Sequence, residues 1–152
     1  MFADNAQVVD EAGLHRRMFI VRESLRARAA DESAAFKPRA YGNLLYFFFP
    51  SSMILVQRDH AQLTRIEPLA PGRTVLREIA LIPGSITSEK ARTHWDHNVE
   101  IYRAALGEDY AQMESIQAGL ASGANAALSF GCFESALARF NQQLDAELAR
   151  SS

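Results

Sequence analysis

Residue types able to do chemistry are few in this chain. Four histidines occur, His15, His60, His94 and His97, and two of them fall in the run His94-Trp95-Asp96-His97. On a helix those two rings stand one turn apart, so both imidazoles could reach one ion. A third ligand would have to come from elsewhere, and no H-E-x-x-H pattern is present. The plainer reading is a solvated helix face beside a packed Trp95. A second constellation is Glu108-Asp109, directly after Gly107. Carboxylates in such a place suit the opening of a helix, where they cap free N–H groups and meet the positive end of the dipole. The single cysteine, Cys132, sits in Ser129-Phe130-Gly131-Cys132 without a basic neighbour to favour the thiolate, so a buried or inert thiol is plainer than a nucleophile. No GxxxxGK, GxGxxG or GxSxG pattern occurs, which argues against a nucleotide-binding enzyme and a serine hydrolase.

The elements that must position these groups change character along the chain. Residues 1–40 are the least clear: Leu14 to Arg28 reads either as a strand around Met18-Phe19-Ile20-Val21 or as an arginine-rich helix, and Ala29 to Arg39 as a loop or short helix. The aromatic run Leu44 to Phe49, then Met53 to Gln57, Gln62 to Ile66 and Arg73 to Ile82 read as strands. Pro50-Ser51-Ser52, Arg58-Asp59-His60 and Pro68 to Gly72 separate them as turns. Connections this short join antiparallel neighbours, because a parallel pair needs a crossover of about a dozen residues. From Thr87 the period becomes helical. Trp95, Val99, Tyr102 and Leu106 share one face, Gly107 breaks the helix, and a second helix from about Glu108 turns Tyr110, Met113, Ile116 and Leu120 inward. Ser122-Gly123-Ala124-Asn125 ends it. A third helix, from about Cys132 to Leu148, carries the stripe Phe133, Leu137, Phe140, Leu144 and Leu148. Strands followed by helices imply an α+β fold.

Composition sets bounds on these readings. A chain of 152 residues fits one domain, and one of this size buries about 68–70% of its unfolded surface. With 48% hydrophobic and 22% charged residues it is an ordinary globular sequence, not a disordered or collagen-like one. A net charge of -2 gives no reason to expect nucleic acid as a partner. One cysteine allows no internal disulfide and fits a cytoplasmic location. The start Met1-Phe2-Ala3-Asp4-Asn5 lacks a basic, then apolar, leader, and the longest apolar run, Leu44 to Pro50, is far short of the ~20 residues that span a bilayer, so no membrane association is expected.

From Tyr46 to Leu148 the chain resembles the catalytic domain of ring-hydroxylating (Rieske-type) oxygenase alpha subunits. Phe48-Phe49-Pro50-Ser51 is similar to the family's FPN strand, with Ser51 in place of Asn. Arg65 to Thr74, with Pro68, Pro71 and Gly72, resembles its R-x-x-P-x-x-P-x-x-T hairpin. Glu108-Asp109 followed by Met113-Glu114-Ser115-Ile116-Gln117-Ala118-Gly119-Leu120-Ala121-Ser122 resembles its E-D … E-x-x-Q-x-G-L-x-S signature, and Phe130 to Phe140 its closing helix.

The resemblance implies a helix-grip, START-like fold, an antiparallel sheet around a long C-terminal helix. It also implies a cavity for a hydrophobic substrate, with Phe47, Phe49, Met53, Leu55, Met113 and Phe133 as lining candidates; for each, plain core packing is the competing reading. In the family a facial triad of two histidines and one carboxylate holds Fe(II), and Asp109 stands at the carboxylate position. Other catalytic residues stay unassigned. Departures are equally informative. A Rieske [2Fe–2S] centre needs two cysteines and two histidines, more cysteine than this chain has. The family's iron-binding histidine pair lies before the aromatic strand, where only His15 is found, in a segment resembling one that follows that pair. The expectation is therefore a catalytic region incomplete at its N-terminus. The Rieske cluster would lie on a missing or separate domain, a reductase or ferredoxin would donate electrons, and the intact subunit would form a homo-oligomer. On its own the chain is expected to have little or no oxygenase activity and an exposed sheet edge. Two alternatives remain: a helix-grip module that binds a hydrophobic small molecule without catalysis, and a split subunit completed by a separately encoded chain.

Overall fold

Gly13 opens the architecture. Its φ of 60° is left-handed, a conformation that glycine adopts without steric cost, and it lets β1 (Phe2–Ala12) reverse into β2 (His15–Arg22). The strand reading of Met18 to Val21 is thus the one realised. Its cause is long-range, because Met18 pairs with Val9 on one side and Leu45 on the other. The computed structural model describes residues 2–25, 36–124, 127, 129–132 and 134–151, with the backbone alone for residues 2–6.

Past the short helix α1 (Pro38–Tyr41) come β3 (Gly42–Phe48), β4 (Ser52–Val56), β5 (Ala61–Ala70) and β6 (Arg73–Leu81). The six strands form one antiparallel sheet in sequence order, as short connections require. The expected turn at Pro68 to Gly72 is narrower than its composition suggests. Pro68 stays in β5 opposite Thr74, the register shifts between Pro68 and Ala70, and the chain reverses at Pro71-Gly72.

Two helices follow, α2 (Glu89–Ala121) and α3 (Ser135–Ser151). Ser88 caps α2 by accepting the Ala91 N–H at 3.2 Å. Contrary to the expected break, α2 runs through Gly107 for 33 residues. A helical glycine costs only about 1 kcal/mol relative to alanine, and its neighbours Ala104, Ala105, Leu106 and Glu108 include strong helix formers. The expected inward face beyond Gly107 also differs, since Met113, Ile116 and Leu120 are exposed. Helix α3 begins at Ser135, later than expected, behind a turn in which the Gly131 N–H donates to Glu134 Oε2 at 2.5 Å. Phe133 lies outside the described residues. None of the described helices is long and apolar enough to cross a membrane.

The chain divides into two compact units, Met1–Pro83 with Arg139–Ser152, and Gly84–Ala138. The first contains the sheet and most of α3, so it is α+β with the helix-grip pairing of sheet and C-terminal helix. Phe140 of α3 meets Phe47 edge-on at 5.4 Å and Phe49 at 5.8 Å. Arg16 Nη2 donates to Gln143 Oε1 at 2.5 Å, and Gln143 Nε2 to the Gly13 carbonyl at 3.4 Å. The second unit contains α2.

Candidate functional site

Side chains directly opposed on antiparallel strands share a face. Register therefore places Arg16, Phe47, Met53, Thr64 and Glu78 in one cross-sheet row, and Met18, Leu45, Leu55, Gln62 and Ala80 in the next. This is the face that meets α3, because Phe47 touches Phe140 and Arg16 reaches Gln143. Phe47, Phe49, Met53 and Leu55, four of the six lining candidates, are thus brought to one side of one sheet. Phe47 and Phe49 both pack their rings against Phe140, which is aromatic core packing.

The same face holds polar groups that sequence reasoning missed. Arg16, Asn43, Gln62 and Thr64 are all buried. Asn43 Oδ1 accepts from Arg22 Nη2 at 3.1 Å. Arg16, 7% exposed, has Glu11 at 3.6 Å from its Nε as well as Gln143. Arg139 of α3 donates from Nη2 to the second oxygen of Glu11 at 3.3 Å. Glu11 is consequently held below its ordinary pKa of 4.5, first by the Arg139 hydrogen bond and then by the charges of Arg139 and Arg16, against partial desolvation. A usable signal was the alternation of Arg16, Met18 and Ile20, which sets a charge in line with an apolar strand face.

Asp109 stands in the middle of α2, not at a helix start, and both it and Glu108 are exposed. Capping therefore does not account for either carboxylate. Met113 lies one turn further on the same helix and is 55% exposed.

The histidines take separate partners. His94 packs edge-on against Trp95 at 4.7 Å and its Nε2 lies 3.4 Å from Asn98 Nδ2, whereas His97 Nδ1 stands 3.9 Å from Glu100 Oε2. His15 Nδ1 accepts the Phe49 backbone N–H at 3.2 Å, tying β2 to the chain just after β3. His60 is buried between Asp59, 2.8 Å from its Nδ1, and Gln57, 3.0 Å from its Nε2. Cys132 is exposed, so burial does not silence its thiol. Among the described residues no group of three or more His, Cys, Asp or Glu side chains is placed to hold a metal ion.

Comparison with known protein families gives a match over nearly the whole chain. The family model of the ring hydroxylating alpha subunit (catalytic domain) covers residues 4–150, further toward the N-terminus than the motifs from Tyr46 onward. No curated protein and no solved structure matches the chain significantly.

Proposed function

The chain belongs to the ring-hydroxylating alpha-subunit catalytic-domain family, and from that premise we propose that it is part of an oxygenase inserting O2-derived oxygen into an aromatic or other apolar substrate at mononuclear Fe(II). The observation that carries the reading is the family match over residues 4–150, nearly the whole sequence. Iron and a Rieske [2Fe–2S] cluster are typical of that family. The described residues do not by themselves fit a three-ligand iron site, since the exposed Asp109 is not grouped with two further His, Cys, Asp or Glu side chains. In this reading the chain contributes two things. Asp109 would supply one anionic ligand to a centre whose histidines would come from outside the described residues. The apolar residues Phe47, Phe49, Met53 and Leu55 on one side of the sheet would face the substrate and exclude water; Met113, exposed on α2, and Phe133, outside the described residues, are the other two candidates. A Rieske domain fed by a reductase or ferredoxin would be the electron donor, and the intact subunit would be a cytoplasmic homo-oligomer.

The lone carboxylate favours a second reading, a non-catalytic helix-grip module for a hydrophobic small molecule. Co-expression with a chain carrying a Rieske domain and a histidine pair separates the two. The oxygenase reading expects hydroxylation of an aromatic probe in the complemented sample and a loss of about 100-fold with Asp109→Ala, a magnitude seen when metal-site groups are removed. Probe binding with no turnover under complementation favours the module. Alone, the chain is expected to retain much less than one Fe(II) per molecule after anaerobic loading and desalting. Stoichiometric, Asp109-dependent retention would overturn that expectation.

A further inference from the structure

A depression of about 490 Å³ opens in the sheet unit, lined by Phe36, Lys37, Pro38, Arg39, Ala40 and Arg58. Among the described residues that line it, three are cations and none is an acid, in a chain whose net charge is -2. Like charges gathered on one small surface repel, and an anion between them relieves that repulsion. None of the three forms an ion pair with another described residue. Asp59, the carboxylate beside Arg58 in sequence, hydrogen-bonds His60 Nδ1.

The Arg39 side chain and the backbone that carries Arg58 are held in place. Arg39 donates its Nε to the Gln57 carbonyl at 2.9 Å, which leaves both terminal nitrogens of the guanidinium for a forked contact. Arg58 stands at the tip of the β4–β5 turn, which the Gln57 N–H closes onto the His60 carbonyl at 2.9 Å, with the buried His60 ring as its brace. The remaining wall is apolar. Phe36 stacks on Tyr41 at 5.9 Å and meets Phe19 edge-on at 6.3 Å, and Pro38 and Ala40 stand beside it. The depression is shallow and open to solvent, and its volume exceeds the needs of a bare inorganic ion.

We propose that this depression binds a small organic oxyanion, its carboxylate or phosphate group on Lys37, Arg39 and Arg58 and its flat apolar body against Phe36. The site is separate from the row that meets α3 and does not depend on the oxygenase reading. Phenyl phosphate titrated into the isotope-labelled chain tests it. The expected result is a saturable shift of the backbone amides of Lys37, Arg39, Ala40 and Arg58. Lys37→Gln/Arg58→Gln should weaken binding about tenfold, and added salt should weaken it further. Both substituted side chains are exposed, and circular dichroism verifies that the variant is folded. Benzoate should bind at the same amides, and inorganic phosphate more weakly than phenyl phosphate. The proposal fails if no shift saturates at millimolar probe, if the double variant binds as well as the parent, or if neutral benzyl alcohol equals phenyl phosphate. It also fails if an acidic peptide binds these amides and the small anions do not.

Discussion

Glu11 joins a strand to a helix through charge. Its two oxygens face Arg16 from β2 and Arg139 from α3. The depressed folded-state pKa fixes the sign of its pH dependence. A carboxylate more acidic when folded adds stability that is fully present above its ordinary value of 4.5 and disappears as pH falls through the lower folded value. Glu11→Gln is therefore expected to flatten the stability profile of the chain below about pH 4.5 and leave its shape near neutrality unchanged, as read from urea midpoints across pH. Phe140 is the apolar counterpart. Its ring meets two aromatic residues of the sheet, so Phe140→Ala should cost about 2–4 kcal/mol by chemical denaturation. Phe140→Leu, which keeps most of the volume, should cost less than half as much.

Two glycines set contrasting expectations for the elements. Gly42, with an extended φ of -176° at the start of β3, needs no special backbone freedom. A Cβ there would collide with the Phe19 ring and lie 2.5 Å from the Ile20 carbonyl oxygen. Gly42→Ala should thus destabilise by about 1–3 kcal/mol through overpacking. Gly107 has open space where a Cβ would stand, so Gly107→Ala should raise the melting temperature, with a gain of up to about 1 kcal/mol. The second expectation bears on what was legible beforehand. Leu44 to Phe49 declared a strand through its own composition, and Pro71-Gly72 declared a turn. Gly107 misled because its local penalty is small against the cooperativity of a 33-residue helix. Met18 to Val21 stayed ambiguous because strand identity there rests on partners supplied from Val9 and Leu45. Phe47, Met53 and Leu55 were legible as apolar strand residues, and strict alternation of side chains set them on one face, whereas Phe49 lies just past the end of β3. The buried Arg16 and Gln62 on that face were not legible, since their burial depends on cover from other parts of the chain.

On the scale of the whole molecule, apolar surface is poorly hidden. Val21 is the one hydrophobic residue that counts as buried among the described residues, at 9% exposure, while Val8, Ile79, Leu81, Ile101, Met113 and Ile116 stand open. β1 and β6 terminate the sheet, and unpaired strand edges template association with other chains. The isolated chain is expected to bind a hydrophobic dye at neutral pH and to shift toward larger species as concentration rises in sedimentation. A monomer that binds no dye at high concentration would contradict this. The sheet unit is also discontinuous along the chain, since it closes with Arg139–Ser152 after the intervening Gly84–Ala138. Arg16 and Gln143 are separated by 127 positions, and contacts so distant in sequence form slowly. A ribosome has therefore delivered all six strands and the intervening Gly84–Ala138 before Phe140 exists to cover Phe47 and Phe49. During synthesis that aromatic face is open to chaperones, and a stop codon just ahead of Arg139 would leave a nascent product with no means of covering it.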